Sequence, residues 1–305
     1  MYSIIDFANH FGLRQFYISE ESCKREISIS EVDRPGLEMS GFFDHHCKDR
    51  IVIIGNKEMA YLNTLSYEKA YEAFIKICSK ETPGIVLCQD YDCPEVILNA
   101  CKATDCPLFG TSQKTGVFEA QALMHLSEVL APRTSLHGNF MEVFGEGVLL
   151  LGESGIGKSE ICLDLIKKGH ILVSDDKVLI KNVRGKLIGK APEVIFGMME
   201  VRGIGFIDVS RVFGINSLAR SSSIKYCIQL VPFDPLNQPN RAGVDVEYKT
   251  ILGKQVPLIT VPVSPARSMS EIVEVAVTNL KLKEYGFDSS YEFEKRLEEY
   301  RSRKD

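Results

Sequence analysis

Two hydrophobic periodicities alternate along the first 130 residues. Ile51-Val52-Ile53-Ile54-Gly55 is a continuous apolar run of strand length, and Tyr67, Ala70, Tyr71, Phe74, Ile77 and Cys78 then recur at helical spacing behind Ser66. Ile85-Val86-Leu87-Cys88 predicts a second strand, followed by a helix that opens at Pro94 and runs through Val96, Ile97 and Ala100. Pro107-Leu108-Phe109-Gly110 predicts a third strand, followed by a helix over residues 117–130. Strands separated by helices build parallel sheets, because a parallel neighbour is reached only through a crossover. Residues 1–130 are therefore expected to form a small α/β domain with a parallel sheet.

Ala131-Pro132-Arg133-Thr134 breaks this rhythm and marks the expected boundary, which leaves residues 131–305 as a second domain. Strand patterns dominate its first part. Residues 139–144 and 147–151 flank Gly145-Glu146 as a hairpin, and a helix follows over 158–168 with Gly169 as its C-terminal cap. Residues 178–180 and 186–188 flank Arg184-Gly185 as a second hairpin, and 228–233 and 255–263 read as further strands. Ser268-Met269-Ser270-Glu271 has the form of a capping box ahead of the apolar run 272–280. Residues 291–304 form a charged helix whose alternating signs describe a solvated face.

Composition narrows the class. The chain has 305 residues, 45% hydrophobic and 25% charged, which fits a globular protein and excludes a disordered or fibrous one. With 36 Lys plus Arg against 41 Asp plus Glu, the formal charge of -5 argues against a general nucleic-acid binder. Apolar runs such as Val148-Leu149-Leu150-Leu151 fall far short of the roughly 20 residues a membrane helix needs. The first residues lack the basic start and apolar stretch of a signal peptide, so a cytoplasmic enzyme without a membrane partner is expected. Nine cysteines without a CxxC pair fit a reducing compartment. His45-His46-Cys47 offers metal-ligand chemistry, but three adjacent side chains do not converge easily on one ion and no matching second cluster appears, so no structural zinc site is expected.

One motif carries the chemistry. Gly152-Glu153-Ser154-Gly155-Ile156-Gly157-Lys158-Ser159 satisfies G-x-x-x-x-G-K-[ST], between a strand pattern and an amphipathic helix. Glycines let successive backbone N–H groups wrap a polyphosphate, and the helix starting at Lys158 presents its N-terminus to it. Lys158 then reaches the β- and γ-phosphates, and the Ser159 hydroxyl binds Mg²⁺. Asp175-Asp176 follows the apolar run Ile171-Leu172-Val173, either as a turn closed by aspartate or as a Walker-B-like pair. If that strand lies beside the loop strand, one carboxylate holds magnesium and the other accepts a proton from an incoming hydroxyl. His137 is a polar turn residue or a catalytic one. Glu200-Val201-Arg202-Gly203-Ile204-Gly205 is a salt-bridged turn or a metal ligand with a phosphate clamp. Arg241, in a Pro- and Asn-rich stretch that reads as a mobile loop, is a solvated arginine or one that meets transferred phosphate.

Together these segments resemble the bacterial HPr kinase/phosphorylase family. The resemblance rests on His137-Gly138, the loop from Gly152 to Ser159 with Glu160 after it, Gly169-His170, Asp175-Asp176, and Met199-Glu200-Val201-Arg202-Gly203-Ile204-Gly205. It extends to Arg34-Pro35-Gly36-Leu37-Glu38, Gly41-Phe42-Phe43 and Leu130-Ala131-Pro132-Arg133-Thr134-Ser135, and so covers nearly the whole chain. It implies a second domain with a mixed, strand-rich sheet, similar to phosphoenolpyruvate carboxykinase around the loop. It also implies phosphorylation of a serine on the phosphocarrier HPr by ATP and in many members by pyrophosphate, and removal of that phosphate by phosphorolysis, in the control of sugar uptake and carbon catabolism. Homohexamers are typical of the family. By the same resemblance Asp175-Asp176 supplies the base, with Asp176 favoured, and His137 adjusts its protonation. Lys158 stabilises the transferring charge, Ser159 and Glu200 hold Mg²⁺, and Arg241 closes over the phosphate. The segment serving both reactions is Met199 to Gly205 with Phe206, Ile207 and Asp208.

The dephosphorylation segment departs from the family pattern. Where an Arg-Pro-Gly-Arg-like run is common, this chain has Pro262-Val263-Ser264-Pro265-Ala266-Arg267, with Ser264 for the first arginine and Ala266 for the glycine. Loss of a charge-assisted phosphate contact, worth roughly 1.5–3 kcal/mol, predicts weaker capture of inorganic phosphate. A small-molecule kinase or carboxykinase-like enzyme and a nucleotide-sensing regulator without catalysis are the alternatives.

Overall fold

In both halves of the chain, apolar strands find cover on two faces, and that requirement sets the architecture. The computed structural model describes residues 2–233, 247–264 and 267–302. They divide into two units, Met1–Ala131 and Pro132–Asp305. Among the described residues no helix is long and apolar enough to cross a membrane.

The first unit runs α1 (Ile4–Phe11), β1 (Arg14–Tyr17), β2 (Val32–Asp33), β3 (Ile51–Ile54), α2 (Asn56–Leu62), α3 (Tyr67–Ile77), β4 (Ile85–Leu87), α4 (Glu95–Thr104), β5 (Leu108–Gly110) and α5 (Thr115–Val129). Its sheet has the order β1-β5-β4-β3-β2. All of β3 is buried because Val52 and Ile54 pack into one core while Ile51 and Ile53 pack into the other. That two-sided burial is why the strand reads as a continuous apolar run rather than an alternation. β2 to β5 are parallel as expected, whereas β1 is antiparallel to β5 at the edge. β1, with Arg14 and Gln15 exposed and Phe16 and Tyr17 half-buried, carries no continuous apolar run, since an edge strand needs only one covered face.

The second unit runs β6 (Arg133–His137), β7 (Asn139–Val143), β8 (Glu146–Leu151), α6 (Lys158–Lys167), β9 (Ile171–Ser174), β10 (Lys177–Val183), β11 (Lys186–Lys190), β12 (Met198–Val201), β13 (Gly205–Asp208), α7 (Val209–Phe213), β14 (Ser222–Pro232), β15 (Glu247–Ile251), β16 (Lys254–Val263), α8 (Met269–Glu284) and α9 (Ser289–Ser302). The main sheet has the order β6-β10-β11-β14-β8-β7-β9, with β16 also on β14 and β15 on β16. It is mixed: β8, β14 and β16 are parallel and the other pairs antiparallel. Alternate residues of β8 feed the two faces, Val148 and Leu150 towards the α6 and α8 side, Leu149 and Leu151 towards the other. Both expected hairpins form. The capping box does not: Ser268 precedes α8 as its N-cap but makes no side-chain cap bond, and its hydroxyl lies 3.3 Å from that of Ser270 instead. A nearby hydroxyl competes for the same oxygen.

Candidate active site

The three parallel strands β8, β14 and β16 end on one edge, with Leu151 beside Gln229 and Leu230 beside Val261. Loops leaving the carboxyl ends of parallel strands are where such sheets bind ligands. The phosphate-loop motif leaves β8 there. Gly152 has φ 150°, and a Cβ on it would lie 2.8 Å from the Leu230 carbonyl oxygen, so the turn off the strand requires glycine. Gly157, at φ 103°, turns the chain into α6, which the buried residues Ile161, Cys162, Leu165 and Ile166 pin to the sheet. The side chain of Lys158 is held inside the loop, its Nζ donating to the carbonyls of Gly152 and Glu153 at 2.9 Å each.

Asp175 follows β9 directly. The expected role of this carboxylate requires β9 to lie beside the loop strand, and it does not, because β7 stands between β8 and β9. Asn139, the first residue of β7, bridges the gap. Its Nδ2 donates to Asp175 Oδ1 and lies 3.4 Å from Ser159 Oγ. Ser159 Oγ also donates to Asp175 Oδ1 at 3.0 Å, and the Glu200 N–H donates to Oδ2 at 3.2 Å. Burial pushes the Asp175 carboxyl above its ordinary value, and the charges of Asp176 and Glu200 add to that; the bonds from Glu200 and Ser159 oppose it without cancelling it. Among the described residues, the donors to this buried carboxylate are all neutral.

Asp176 faces the other way. Its φ of 65° turns the chain between β9 and β10, so two adjacent carboxylates have opposite surroundings. Asp176 is 72% exposed at its side chain and its Oδ1 lies 3.1 Å from His137 Nδ1. His137 is held opposite Lys177 by the β6–β10 ladder, and the Gly138 N–H donates to the Asp176 carbonyl at 2.9 Å. His137, Lys158, Ser159, Asp175, Asp176 and Glu200 thus line one cavity with Ser154, Gly155 and Gly157 of the loop.

The segment from Met199 to Asp208 folds as the β12–β13 hairpin, turned by Arg202-Gly203-Ile204. Its faces divide the labour. Met199 is buried in the core with Val201 and Ile207 packed beside it, Glu200 and Arg202 line the cavity, and Ile204 and Phe206 are exposed. Asp208 caps α7, accepting from the Arg211 N–H and the Ser210 hydroxyl. Pro262 and Val263 end β16 beside Val231 and Pro232 on the same sheet edge as the loop, and the Arg267 N–H donates to the Ser264 carbonyl. Arg241, Pro265 and Ala266 lie outside the described residues.

Two lining residues were missing from the sequence-based set of site residues, Asn139 and Glu160. Asn139 left one signal: a polar residue stands directly before the apolar pair Phe140-Met141, and in the structure it is 1% exposed. Glu160 is exposed in the first turn of α6, 3.9 Å from Arg202 Nε, and nothing in its local pattern singles it out chemically.

Comparison with known proteins adds a family. The model described as HPr Serine kinase N terminus matches residues 3–126, and that described as HPr Serine kinase C-terminal domain matches residues 128–297. A relative from Caldanaerobacter subterraneus subsp. tengcongensis, named HPr kinase/phosphorylase, is 39% identical over 281 residues, 92% of each chain. One from Exiguobacterium sp. with the same name is 37% identical over 284 residues, 93% of this chain and 91% of the relative. HPr kinase/phosphorylase 1 of Oceanobacillus iheyensis is 37% identical over 293 residues, 96% of this chain and 94% of the relative. The solved structure of the Hpr(Ser) kinase/phosphatase from Coxiella burnetii is 37% identical and covers 52% of this chain and 98% of its own, with a TM-score of 0.48.

Proposed function

The chain belongs to the HPr kinase/phosphorylase family, and from that premise we propose that its second unit transfers a phosphoryl group from ATP, or from pyrophosphate, to a serine of the phosphocarrier HPr and removes it again by phosphorolysis. The observation that carries this reading is the division of labour between two adjacent carboxylates on one cavity: Asp175 buried against the loop hydroxyl Ser159, Asp176 open to solvent beside His137. A binding-only site needs the first and has no use for the second.

Mg²⁺ fits the donors. The Ser159 hydroxyl and the Glu200 carboxylate are hard oxygens, and among the described residues the buried Asp175 carboxylate is bonded to neutral donors alone. Ser159 and Glu200 would hold the ion, with Asp175 orienting Ser159 from behind, and there it supplies neutralisation of the phosphate charge. The remaining chemistry belongs to the chain. Asp176 takes the proton of the HPr serine hydroxyl as that oxygen bonds to the terminal phosphorus and ADP leaves. Lys158, released from its two loop carbonyls, stabilises the transferring charge. In reverse, inorganic phosphate attacks the phosphoserine phosphorus, Asp176 returns the proton to the leaving serine oxygen, and pyrophosphate departs. One carboxylate serves both directions, because the base of one is the acid of the other. His137 tunes the proton held by Asp176, and Arg241 closes over the phosphate. With Ser264 and Ala266 in the dephosphorylation segment, phosphorolysis runs slower than the forward reaction.

The exposed apolar side chains of Ile204, Phe206, Val212 and Ile215, clustered in sequence beside the cavity segment, support docking of protein here, whether HPr or a further subunit of a homohexamer. Nine free thiols accord with work in the reducing cytoplasm. The test is mass spectrometry of purified HPr after incubation with the protein and Mg-ATP, beside a Lys158→Ala control. One added phosphate on an HPr serine, absent in the control, is the expected result. Unmodified HPr with retained ATP binding would point to a metabolite acceptor or a sensor.

A further inference from the structure

The connection between β2 and β3 in the first unit holds a second polar cluster that phosphoryl transfer does not use. β2 ends at Asp33, Pro35-Gly36 turns the chain, and the single helical turn Glu38–Ser40 brings Glu38 back to it. Of the adjacent residues His45, His46 and Cys47, His45 is exposed whereas the His46 side chain is buried, and the Phe43 ring stands perpendicular to its imidazole at 5.7 Å. The carboxylates it meets, Asp33 and Glu38, come from upstream in the chain, so the expectation that no second cluster joins these residues does not hold for His46.

The geometry is that of a ligand set. His46 Nδ1 lies 3.4 Å from Glu38 Oε1 and 3.9 Å from Asp33 Oδ2, and the three donor atoms lie within 4.8 Å of one another. Two ligands on one ion, each about 2.1 Å from it, sit about 3.0–3.4 Å apart at octahedral to tetrahedral angles. The His46 side chain is only 3% exposed, yet among the described residues neither ring nitrogen has a hydrogen-bond partner, and Asp33 Oδ2 has none either. A protonated imidazole would aim its N–H at a carboxylate; this contact is close but does not have the direction of a hydrogen bond. The nearby arginines are committed elsewhere, Arg34 to Glu58 and Arg50 to Glu31.

We propose that Asp33, Glu38 and His46 bind one divalent transition-metal ion, without nucleotide, and that the ion pins the β2–β3 connection. One imidazole with two carboxylates suits Mn²⁺, Fe²⁺ or Zn²⁺. Ligating histidines usually anchor their second nitrogen, and Nε2 has no anchor here, which makes the ion exchangeable rather than permanently held.

Mn²⁺ is the probe, because it avoids the thiols of Cys78, Cys101 and Cys106, which also lie within 4.8 Å of one another. The full chain, free of nucleotide, is titrated with MnCl₂ while the free ion is counted by electron paramagnetic resonance. The native chain should bind one equivalent more than Glu38→Gln or His46→Gln, and Asp175→Asn should retain that equivalent. Mn²⁺ should raise the melting temperature of the native chain and leave that of Glu38→Gln unmoved. Equal stoichiometry in the native chain and both variants would overturn the site. A measurement independent of how those variants fold is the spin-echo spectrum of bound Mn²⁺ in His137→Ala: imidazole nitrogen coupling is expected, and its absence would also overturn it.

Discussion

Glu58 in the first unit and Asp175 in the second are almost equally buried, at 6% and 5% exposed, yet their surroundings move them in opposite directions. Burial raises the Glu58 carboxyl, but hydrogen bonds from Arg34, at 2.8 and 2.9 Å, and from the Gly55 N–H outweigh it and hold the group below its ordinary value. Burial raises Asp175 as well, and the neutral donors Ser159 and Glu200 N–H do not bring it back. A carboxylate with a guanidinium built against it is a finished structural tie. One surrounded only by neutral donors keeps an unneutralised charge, and that charge is what an arriving cation relieves. Equal burial therefore describes two different things, and the counter-charge tells them apart.

The sharpest way to break this contrast is Asp175→Asn. The amide still accepts from Ser159 and no longer buries a charge, while it loses the acceptor facing the Glu200 N–H. These changes oppose each other, so unfolding free energy should stay within about 1 kcal/mol of the native chain. Phosphoryl transfer to HPr should fall about 100-fold, as when a group orienting a metal ligand is lost. A large loss of stability without loss of transfer would make Asp175 the structural tie and reverse its place in the comparison.

Glu58→Gln should behave in the opposite way. It strands a partly exposed guanidinium and removes a charged pair, for an expected cost of about 2–3 kcal/mol, the lower part of the range once Arg34 exposure is discounted. Transfer per folded molecule should be unchanged. Calorimetric melting beside a single-turnover assay separates the two quantities.

How far this contrast was legible in the sequence follows from what each feature depends on. The phosphate loop needs only neighbours in the chain, so Gly152, Gly157, Lys158 and Ser159 could be named at once. The carboxylate pair was legible as residues but not as roles, because the split between Asp175 and Asp176 comes from one left-handed residue and from β7 pairing on both sides. Sheet order is set by distant partners. That is also why Asn139 was missed, why β1 gave no signal at its edge, and why the Glu58 tie to Arg34 cannot be read from either residue alone. The failed capping box shows the limit from the other side: the residues of α8's first turn were right, and a local hydroxyl contact displaced the expected bond.

Acid titration sharpens the comparison further. Glu58 has its folded value below its unfolded one, so its contribution is complete above about pH 4.3 and disappears as pH falls through the folded value. Asp175 has its folded value above its unfolded one, so the native chain binds that proton more readily and its stability deficit is present at neutral pH and relieved on acidification. The stability gap between the native chain and Glu58→Gln should therefore close towards acid. Any advantage of Asp175→Asn should shrink over the same titration, from above. Denaturant unfolding at a series of pH values reads both, and parallel curves for the two variants would show that the charges do not differ as argued.

The smallest effect belongs to His137. Its pairing with Asp176 is short, at 3.1 Å, but the two side chains are 52% and 72% exposed, so water screens the interaction. Exposed pairs are worth about 0–1 kcal/mol, which corresponds to no more than several-fold in rate if the whole interaction acts on the transition state. His137→Ala should thus slow transfer to HPr several-fold and leave nucleotide binding and melting temperature in place. A loss beyond about 100-fold would exceed what a screened neighbour supplies and would make the imidazole itself the carrier of the serine proton. Asp176 would then be the residue that orients it, and the exposed half of the carboxylate pair would join Asp175 as a positioning group.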